Sequence, residues 1–211
     1  MVADPTGSPR IGRPKTLDRD RVIGIAMESY WRDGVDTVSL NEVCRRAETS
    51  KPGIYREFGG EDGLMDAVLE RYAETVLAPT FEQIAQDRPF RDVLATVLEM
   101  LTDTSRALPP GCLFVKMRTS PSRLGAATGV RVAALREGAR AIYVEWIDGA
   151  KQRGEIAPGV STVVAALLLD TQCTALLMQM ALGEDPELLR AQAWLAFAGL
   201  TGSVDGSPAR A

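Results

Sequence analysis

The sequence predicts an all-α protein, and three observations lead to that prediction. Apolar residues recur at intervals of three and four positions between residues 18 and 200, which is the period of helices with a buried face. Capping residues open several of these segments, and Gly or Pro closes most of them. We find no β-hairpin pattern and no internal repeat. A chain of 211 residues can bury a sizeable core.

The composition is that of a globular protein and argues against several kinds of site. Hydrophobic residues make up 45% of the chain and charged residues 25%. There is no histidine, so the commonest general base and the commonest metal ligand are missing. Cys44, Cys112 and Cys173 show neither zinc spacing nor a disulfide framework. The isolated cysteines and the lack of a signal-peptide pattern predict a cytoplasmic protein. The missing histidine and the cysteine spacing lead us to expect no cofactor, metal site or catalytic residue.

The first and fourth predicted helices frame the N-terminal region. Residues 18–33 carry an apolar face that repeats every four positions, and Gly34 is a natural stop. The fourth helix is predicted over residues 60–78, with Pro79 ending it.

Between these helices, two short segments are separated by a tight break. Ser39 and Glu42 form a capping box, in which the hydroxyl accepts from an amide three residues on and the carboxylate reaches back. The break falls at residues 47–49. Ser50 is a second N-cap, and Pro52 suits a first helical turn. This is the outline of a helix-turn-helix, whose second helix enters the major groove of DNA.

Residues in and around these two helices match a known family pattern. They are Gly34, Val38, Ser39, Leu40, Ser50, Lys51, Ile54, Tyr55, Phe58, Gly63 and Leu64. The segment 12–77 therefore resembles the N-terminal DNA-binding domain of the TetR family of bacterial repressors. The chain departs from the family pattern in two places. Pro52 and Gly53 stand where a Gly and a Thr or Ser are common, and Glu61 replaces a common lysine.

The resemblance implies binding of double-stranded operator DNA. Lys51 can reach a phosphate or a guanine edge, Tyr55 can donate to a phosphate, and Arg56 can reach one. The candidate DNA-binding residues are Arg13, Lys15, Ser39, Arg46, Ser50, Lys51, Pro52, Gly53, Tyr55 and Arg56. The first two belong to a basic arm that either reaches a minor groove or is a solvated tail.

The distribution of charge agrees with contact to DNA at one end only. A net charge of -4 argues, taken alone, against a nucleic-acid binder. Over residues 10–56, however, ten Lys and Arg stand against seven Asp and Glu, which gives +3 and leaves -7 for the rest. A mildly basic end on an acidic body fits such a protein.

The rest of the chain is predicted to be helical over residues 90–108, 112–118, 129–153, 160–182 and 186–200. The segment 160–182 is long and apolar enough to span a membrane, but Asp170, Gln172 and Gln179 favour a buried or interface helix. The resemblance implies that the last two helices form a four-helix interface in a homodimer, and an intramolecular core is the alternative. The candidate interface residues are Leu167, Thr174, Leu177, Trp194 and Phe197.

A ligand cavity is predicted in this helical body. Its candidate residues, Phe114, Met117, Tyr143, Trp146 and Cys173, suit a small hydrophobic or aromatic effector, although such stripes are also typical of plain core. Cys112 follows Pro-Pro-Gly at a helix start, where the helix dipole lowers the pKa of a thiol. It is a candidate redox sensor, with a small buried hydrophobe as the alternative.

Four segments are predicted: a flexible basic arm (1–15), a helix-turn-helix domain (16–60), a helical regulatory and dimerisation domain (61–202) and a flexible tail (203–211). The predicted function is a ligand-responsive transcriptional regulator, a repressor, that binds a palindromic operator as a homodimer. One alternative is an all-α enzyme using the apolar cavity as an active site, and another is a helical interaction module without a ligand.

Overall fold

The computed structural model describes residues 17–105 and 108–201, and over those residues the chain is all-α, as predicted. The helices are α1 (Arg19–Asp33), α2 (Leu40–Arg46), α3 (Lys51–Phe58), α4 (Glu61–Tyr72), α5 (Ala78–Ile84), α6 (Phe90–Leu101), α7 (Leu113–Thr119), α8 (Ala126–Gln152), α9 (Thr162–Leu182) and α10 (Pro186–Thr201). A π-helical turn (Ala73–Leu77) joins α4 to α5, and a 3-10 turn (Pro121–Arg123) precedes α8. The predicted arm and tail lie outside the described residues.

Side-chain caps start the first three helices where the sequence places them. The Ser39 hydroxyl accepts a hydrogen bond from the backbone amide of Glu42 at 3.3 Å. The Ser50 hydroxyl accepts from the amide of Gly53 at 3.2 Å, and Asp18 caps α1 in the same way. Each bond satisfies an amide that a first helical turn leaves unpaired. The predicted helix-turn-helix is confirmed.

The fourth helix does not end at Pro79, contrary to the prediction. After Tyr72 the chain makes a π-helical turn and continues as α5, with Pro79 in the first turn of α5. In the π turn the amide of Ala78 bonds to the carbonyl of Ala73, five residues back. Proline is tolerated directly after this change of register, because a first helical turn does not need its amide.

Two other helices differ from their predicted bounds because distant residues contact their ends. α6 ends before Thr102, whose hydroxyl accepts a hydrogen bond from Arg190 of α10 at 2.6 Å. α8 starts at Ala126, not at 129, because the Asp62 carboxylate of α4 accepts from the amide of Thr128 at 3.1 Å. Neither contact is visible in the local sequence.

The apolar core consists of two clusters of buried residues. The first joins α1, α2 and α3, which we call the head, to α4 and α7. The second is formed by α6, α8, α9 and α10 together with Ile84. We call the helices from α4 to α10 the body. The first cluster contains residues from both sides of position 60, so α4 and α7 help to close the core of the head. The predicted boundary at residues 60 and 61 stays a prediction.

Polar contacts also tie the head to the segment around α7. The indole Nε1 of Trp31 donates to the carbonyl of Gly111 at 3.2 Å. The ammonium of Lys116 donates to the carbonyl of Trp31 at the end of α1. Arg123 Nε donates to the carbonyl of Val35 at 3.1 Å. These contacts join the end of α1 to the α7 segment.

Candidate nucleic-acid interface and ligand cavity

Helix α3 turns one face to the core and the other to solvent. Ile54 is fully buried, whereas Lys51, Tyr55 and Arg56 are exposed. Tyr55 is 58% exposed, so it is not a core residue. Within the described part of the chain, neither Lys51 nor Arg56 forms an ion pair with an acidic side chain. The exposed face therefore offers two cations and a phenol, which are groups that bind phosphates and base edges.

The start of α3 holds three further predicted DNA-binding residues. Pro52 is exposed, and Ser50 is exposed with its hydroxyl engaged in the cap. Gly53 is buried, and a Cβ there would lie 3.3 Å from Ser50 Oγ and 3.4 Å from Leu17 Cδ1. Gly53 is therefore a close-packed spacer and not part of the exposed surface, which corrects its predicted role.

On α2, the arginines are held by a shared carboxylate. Glu42 accepts from Arg45 Nη2 at 2.6 Å and from Arg46 Nε at 2.7 Å, so it does not complete the capping box with Ser39. The hydrogen bonds from Arg45 and then Arg46 lower the pKa of Glu42 to about 2. Arg46 also pairs with Asp33 at 2.5 Å. Two carboxylates neutralise Arg46, whereas Arg45 pairs, among the described residues, with Glu42 alone and is more exposed, so Arg45 is the more accessible of the two cations.

The remaining residues of the predicted interface do not all lie on the described surface. Glu61, which could repel phosphate, pairs with Arg123 at 3.0 Å, so its charge is neutralised within the protein. The Ser39 hydroxyl is engaged in the cap of α2. Arg13 and Lys15 lie outside the described residues, and their contact with DNA stays a prediction.

A cavity of about 360 Å³ lies between the head and the body. The aromatic residues in its wall are Trp31, Tyr72, Phe81, Phe114 and Tyr143. The π-helical turn, α6 and α9 supply aliphatic and thioether groups. A volume of this size and a mainly apolar lining are typical of small-molecule sites.

The cavity includes some of the residues predicted for it. Phe114, Tyr143 and Cys173 line it, as the sequence predicts. Met117 does not, because it is fully buried in the cluster beneath the head. Trp146 does not either, because its ring packs on Phe90 with the centroids 4.6 Å apart. The helical period places these two residues on the buried sides of α7 and α8, but it cannot tell a close-packed core from a cavity wall.

One end of the cavity is polar, and the sequence analysis missed it. Arg118 of α7 donates from Nη1 to Asp170 Oδ1 at 3.0 Å and from Nη2 to Oδ2 at 3.1 Å. Nη1 also lies 3.4 Å from the hydroxyl of Thr174. The guanidinium carbon lies 5.4 Å from the ring centroid of Phe114. This is a paired charge on an aromatic surface, in a mostly buried position.

The two cysteines of the cavity are buried thiols. Cys112 is 5% exposed, and the hydroxyl of Tyr72 donates to its sulfur at 3.2 Å. Burial raises the pKa of Cys112 and outweighs the hydrogen bonds that lower it. The expectation that the helix dipole would lower this pKa is wrong for that reason. Burial also raises the pKa of Cys173 to about 12. Neither group is a ready thiolate near neutral pH.

Helices α9 and α10 carry exposed apolar residues, whose surface we call the outer face. They are Val163, Val164, Leu167, Met178, Leu182, Leu188 and Leu195. Of the predicted interface residues, Leu167 is 49% exposed, and Thr174, Leu177 and Trp194 are partly buried. Phe197 is 1% exposed and belongs to the core of the single chain, so the prediction for Phe197 is corrected.

Helix α9 passes the length and composition test for a membrane span, alone among the described helices. Core helices of globular proteins pass the same test. In this structure one side of α9 packs on α8 and α10, and Asp170 is paired with Arg118 on α7. These contacts favour the interpretation of α9 as a core helix with one uncovered side.

Comparisons with known proteins agree with this geometry. Residues 23–68 match the family model described as bacterial regulatory proteins, tetR family. The chain is 31% identical over 114 residues to the HTH-type transcriptional repressor ComR of Escherichia coli. This match covers 53% of this chain and 54% of ComR. It is 32% identical over 88 residues to the HTH-type transcriptional repressor BdcR of the same organism. That match covers 42% of this chain and 45% of BdcR. The matches thus span about half the length of these relatives.

The solved structures extend the comparison to nearly the whole fold. A cysteine mutant of the TetR family transcriptional regulator CifR, complexed with 26 bp double-strand operator DNA, matches with a TM-score of 0.73 and 23% identity. The match covers 87% of this chain and 97% of that chain. It shows that the two chains share one fold from the head through the body.

Proposed function

We propose that this protein, whose N-terminal domain belongs to the tetR family of bacterial regulatory proteins, is a transcriptional repressor that binds operator DNA. The exposed face of α3 carries the proposal. Lys51, Tyr55 and Arg56 stand on a short, capped helix whose other side is fixed by Ile54. The N-terminal end of such a helix enters the major groove. The repressor names of ComR and BdcR and the operator complex of CifR support the same role here.

The proposed repressor acts as a homodimer on a palindromic operator. A single head offers little surface for specific binding, whereas two heads held together can read half-sites about 34–36 Å apart. The outer face of α9 and α10 supplies an apolar surface for a second copy. Exposed apolar surface of this kind is typical of protein interfaces.

A small hydrophobic or aromatic effector is the second proposed partner. The cavity has the size and lining for such a molecule, and the head contributes to its wall through Trp31. Tyr72, at the end of α4, forms another part of the wall. A ligand there contacts both the head and the helix that follows it, so its binding can change how the heads are held. Action on operator DNA also agrees with the expected location in the cytoplasm.

No observation favours the two alternative functions. The related proteins and solved structures are transcriptional regulators and not enzymes, which argues against an active site in the cavity. A plain interaction module would not need the exposed cations of α3 or an apolar cavity.

The proposal is tested by direct binding to DNA. Fluorescence anisotropy would compare a labelled duplex from the region upstream of the gene with a scrambled duplex, at one physiological salt concentration. We expect a specific dissociation constant between about 10⁻⁸ and 10⁻¹¹ M, at least about a thousandfold tighter than for the scrambled duplex. Equal affinity for the two duplexes would contradict the proposal.

A further inference from the structure

The polar end of the cavity is its most selective feature. Both members of the Arg118–Asp170 pair are mostly buried, with 16% and 8% of their side-chain surfaces exposed. The remaining wall near them is aromatic, thiol or aliphatic, including Phe114, Tyr143 and Cys173. A ligand that fills the cavity therefore meets a buried ion pair within a mainly apolar wall.

We propose that the cavity binds an uncharged, largely aromatic molecule with one oxygen acceptor, such as a ketone, and that this oxygen accepts a hydrogen bond from Arg118. The inference rests on the proposed function, because it names the class of the effector. Three properties of the cavity carry it: its charge, its hydrogen-bond donors and its aromatic lining.

The charge of the cavity disfavours ionic ligands. The guanidinium of Arg118 is neutralised by both oxygens of Asp170. A carboxylate ligand would lose its hydration and gain no uncompensated cation in return. A cationic ligand gains little from Asp170, because the guanidinium of Arg118 already compensates its charge. Asp103, also in the wall, is exposed and accepts from the amide and hydroxyl of Ser105.

The polar pair leaves N–H donors of Arg118 available to a ligand. A guanidinium carries five N–H groups. Three of them are directed at Asp170 and Thr174 in the contacts described above. The carboxylate uses both oxygens within the pair, so the N–H groups of Arg118 that remain are suited to an acceptor on the ligand. A carbonyl oxygen supplies that acceptor without a charge.

The aromatic lining of the cavity favours a ring system. The aromatic rings of Trp31, Tyr72 and Tyr143 lie in its wall, and aromatic rings pack against one another with a gain beyond burial. About 360 Å³ is enough for a fused bicyclic compound with a short substituent.

The test uses four naphthalenes that differ only in the group at position 2. They are 2-acetylnaphthalene (a ketone), 2-ethylnaphthalene (no acceptor), 2-naphthoate (an anion) and 2-naphthylmethylamine (a cation when protonated). Binding to the full-length protein is followed by quenching of tryptophan fluorescence, since Trp31 lies in the wall. We expect the ketone to bind at least about tenfold more tightly than each of the others, from one hydrogen bond to a charged donor.

Two variants assign the preference to the polar pair. In the double variant Arg118→Met with Asp170→Leu, both charges are removed together, so none is left buried and unpaired. It should bind 2-ethylnaphthalene as well as wild type does, and the advantage of the ketone should vanish. Asp170→Asn leaves the guanidinium uncompensated. It should therefore move the preference toward 2-naphthoate by about tenfold or more.

Each result decides the inference. It is overturned if 2-ethylnaphthalene matches the ketone, if an ionic compound binds most tightly to wild type, if no compound binds, or if the double variant keeps the ketone preference. Operator binding by the same preparation separates the two proposals. Operator binding without the ketone preference would overturn only the proposed ligand class. A ketone preference without operator binding would overturn only the proposed DNA-binding role.

Discussion

Lys51 opens α3, the helix that we propose enters the major groove, and among the described residues it forms no ion pair. We therefore expect Lys51→Ala to weaken operator binding by about 1–3 kcal/mol if the lysine reads a base edge. If it contacts a phosphate, the slope of log K against log salt concentration should become less negative by about one unit, by the same amount for all sequences. Anisotropy titrations of specific and scrambled duplexes over a salt series distinguish the two cases.

Arg136→Ala is the matched control for this change. It removes an exposed cation from α8, in the body, and it should leave both affinity and salt slope unchanged. Tyr55→Phe removes only a hydroxyl from an exposed ring, so the fold should stay intact while a phosphate contact is lost. Wild-type operator binding by both Lys51→Ala and Tyr55→Phe would show that α3 is not the recognition helix.

Cys173 makes the stability of the protein sensitive to alkali. Burial raises its pKa from an ordinary 9.0 to about 12, so the folded chain keeps a proton that the unfolded chain loses. The contribution of this protonated thiol to the free energy of unfolding is intact below pH 9. It is lost as the pH rises from 9 toward 12, by about 1.4 kcal/mol per pH unit. The free energy of unfolding of wild type, measured in urea, should therefore fall more steeply with pH over this interval than that of Cys173→Ala. Identical slopes for the two proteins would mean that the thiol ionises freely in the folded state.

The residue scale also shows which contacts the sequence can predict. Ser39 and Ser50 cap helices through amides three residues away, so a local pattern is enough to find them. Arg118 and Asp170 are separated by 52 positions, and no local pattern relates them. Their pairing depends on how α7 packs against α9, which a single sequence does not specify. The polar end of the cavity was therefore missed.

At the scale of elements, the junction between α3 and α4 depends on Gly63. A Cβ there would lie 1.7 Å from the carbonyl oxygen of Phe58, which is backbone and cannot turn aside. We expect Gly63→Ala to lower the free energy of unfolding by about 3 kcal/mol or more, because the helices must separate to admit it. Thermal unfolding followed by circular dichroism measures the change.

The control for that variant is Gly24→Ala in α1. Nothing lies within 4 Å of a Cβ at Gly24, so this change should stabilise the protein by about 0.5–1 kcal/mol through helix propensity. If Gly63→Ala behaves like Gly24→Ala, then the close approach of α3 and α4 is not maintained in solution.

Helix bounds were predictable only where local signals set them. The start of α3 follows from Ser50 and Pro52, and the end of α1 follows from Gly34. Pro79 gave a misleading stop signal, because the π-helical turn before it changes the hydrogen-bond register. That turn lines the cavity, so the departure from α-helical geometry lies in the cavity wall.

At the scale of the whole molecule, the outer face of α9 and α10 should join two copies. Leu167→Asp places a charge on this face and should shift the protein from a dimer to a monomer of 22.8 kDa in light scattering. Operator affinity should fall with it, because the two heads are no longer held together. Val130→Asp changes a 72% exposed residue of α8 and should do neither. A wild-type protein that is monomeric at micromolar concentration and on DNA would contradict the homodimer.

The cavity and the heads should be coupled through Trp31. Calorimetry of 2-acetylnaphthalene with and without operator should give two affinities that differ by about 1–3 kcal/mol, and operator affinity should change by the same factor. Trp31→Phe keeps an aromatic ring but loses the hydrogen bond to Gly111, so this difference should shrink. Trp146→Phe, outside the cavity wall, should leave it unchanged. Equal affinities in wild type would show that this compound is not an effector.

The indole of Trp31 also limits how freely the parts of this protein can be recombined. A chimaera that grafts residues 17–60 onto another body would bring the indole without the Gly111 carbonyl that receives its N–H and without Lys116, which closes the end of α1. Such a hybrid should fold poorly or fail to transmit a signal. A graft that carries α4 and residues 111–123 along with the head preserves these contacts, and it is the better starting point for a biosensor with altered DNA specificity.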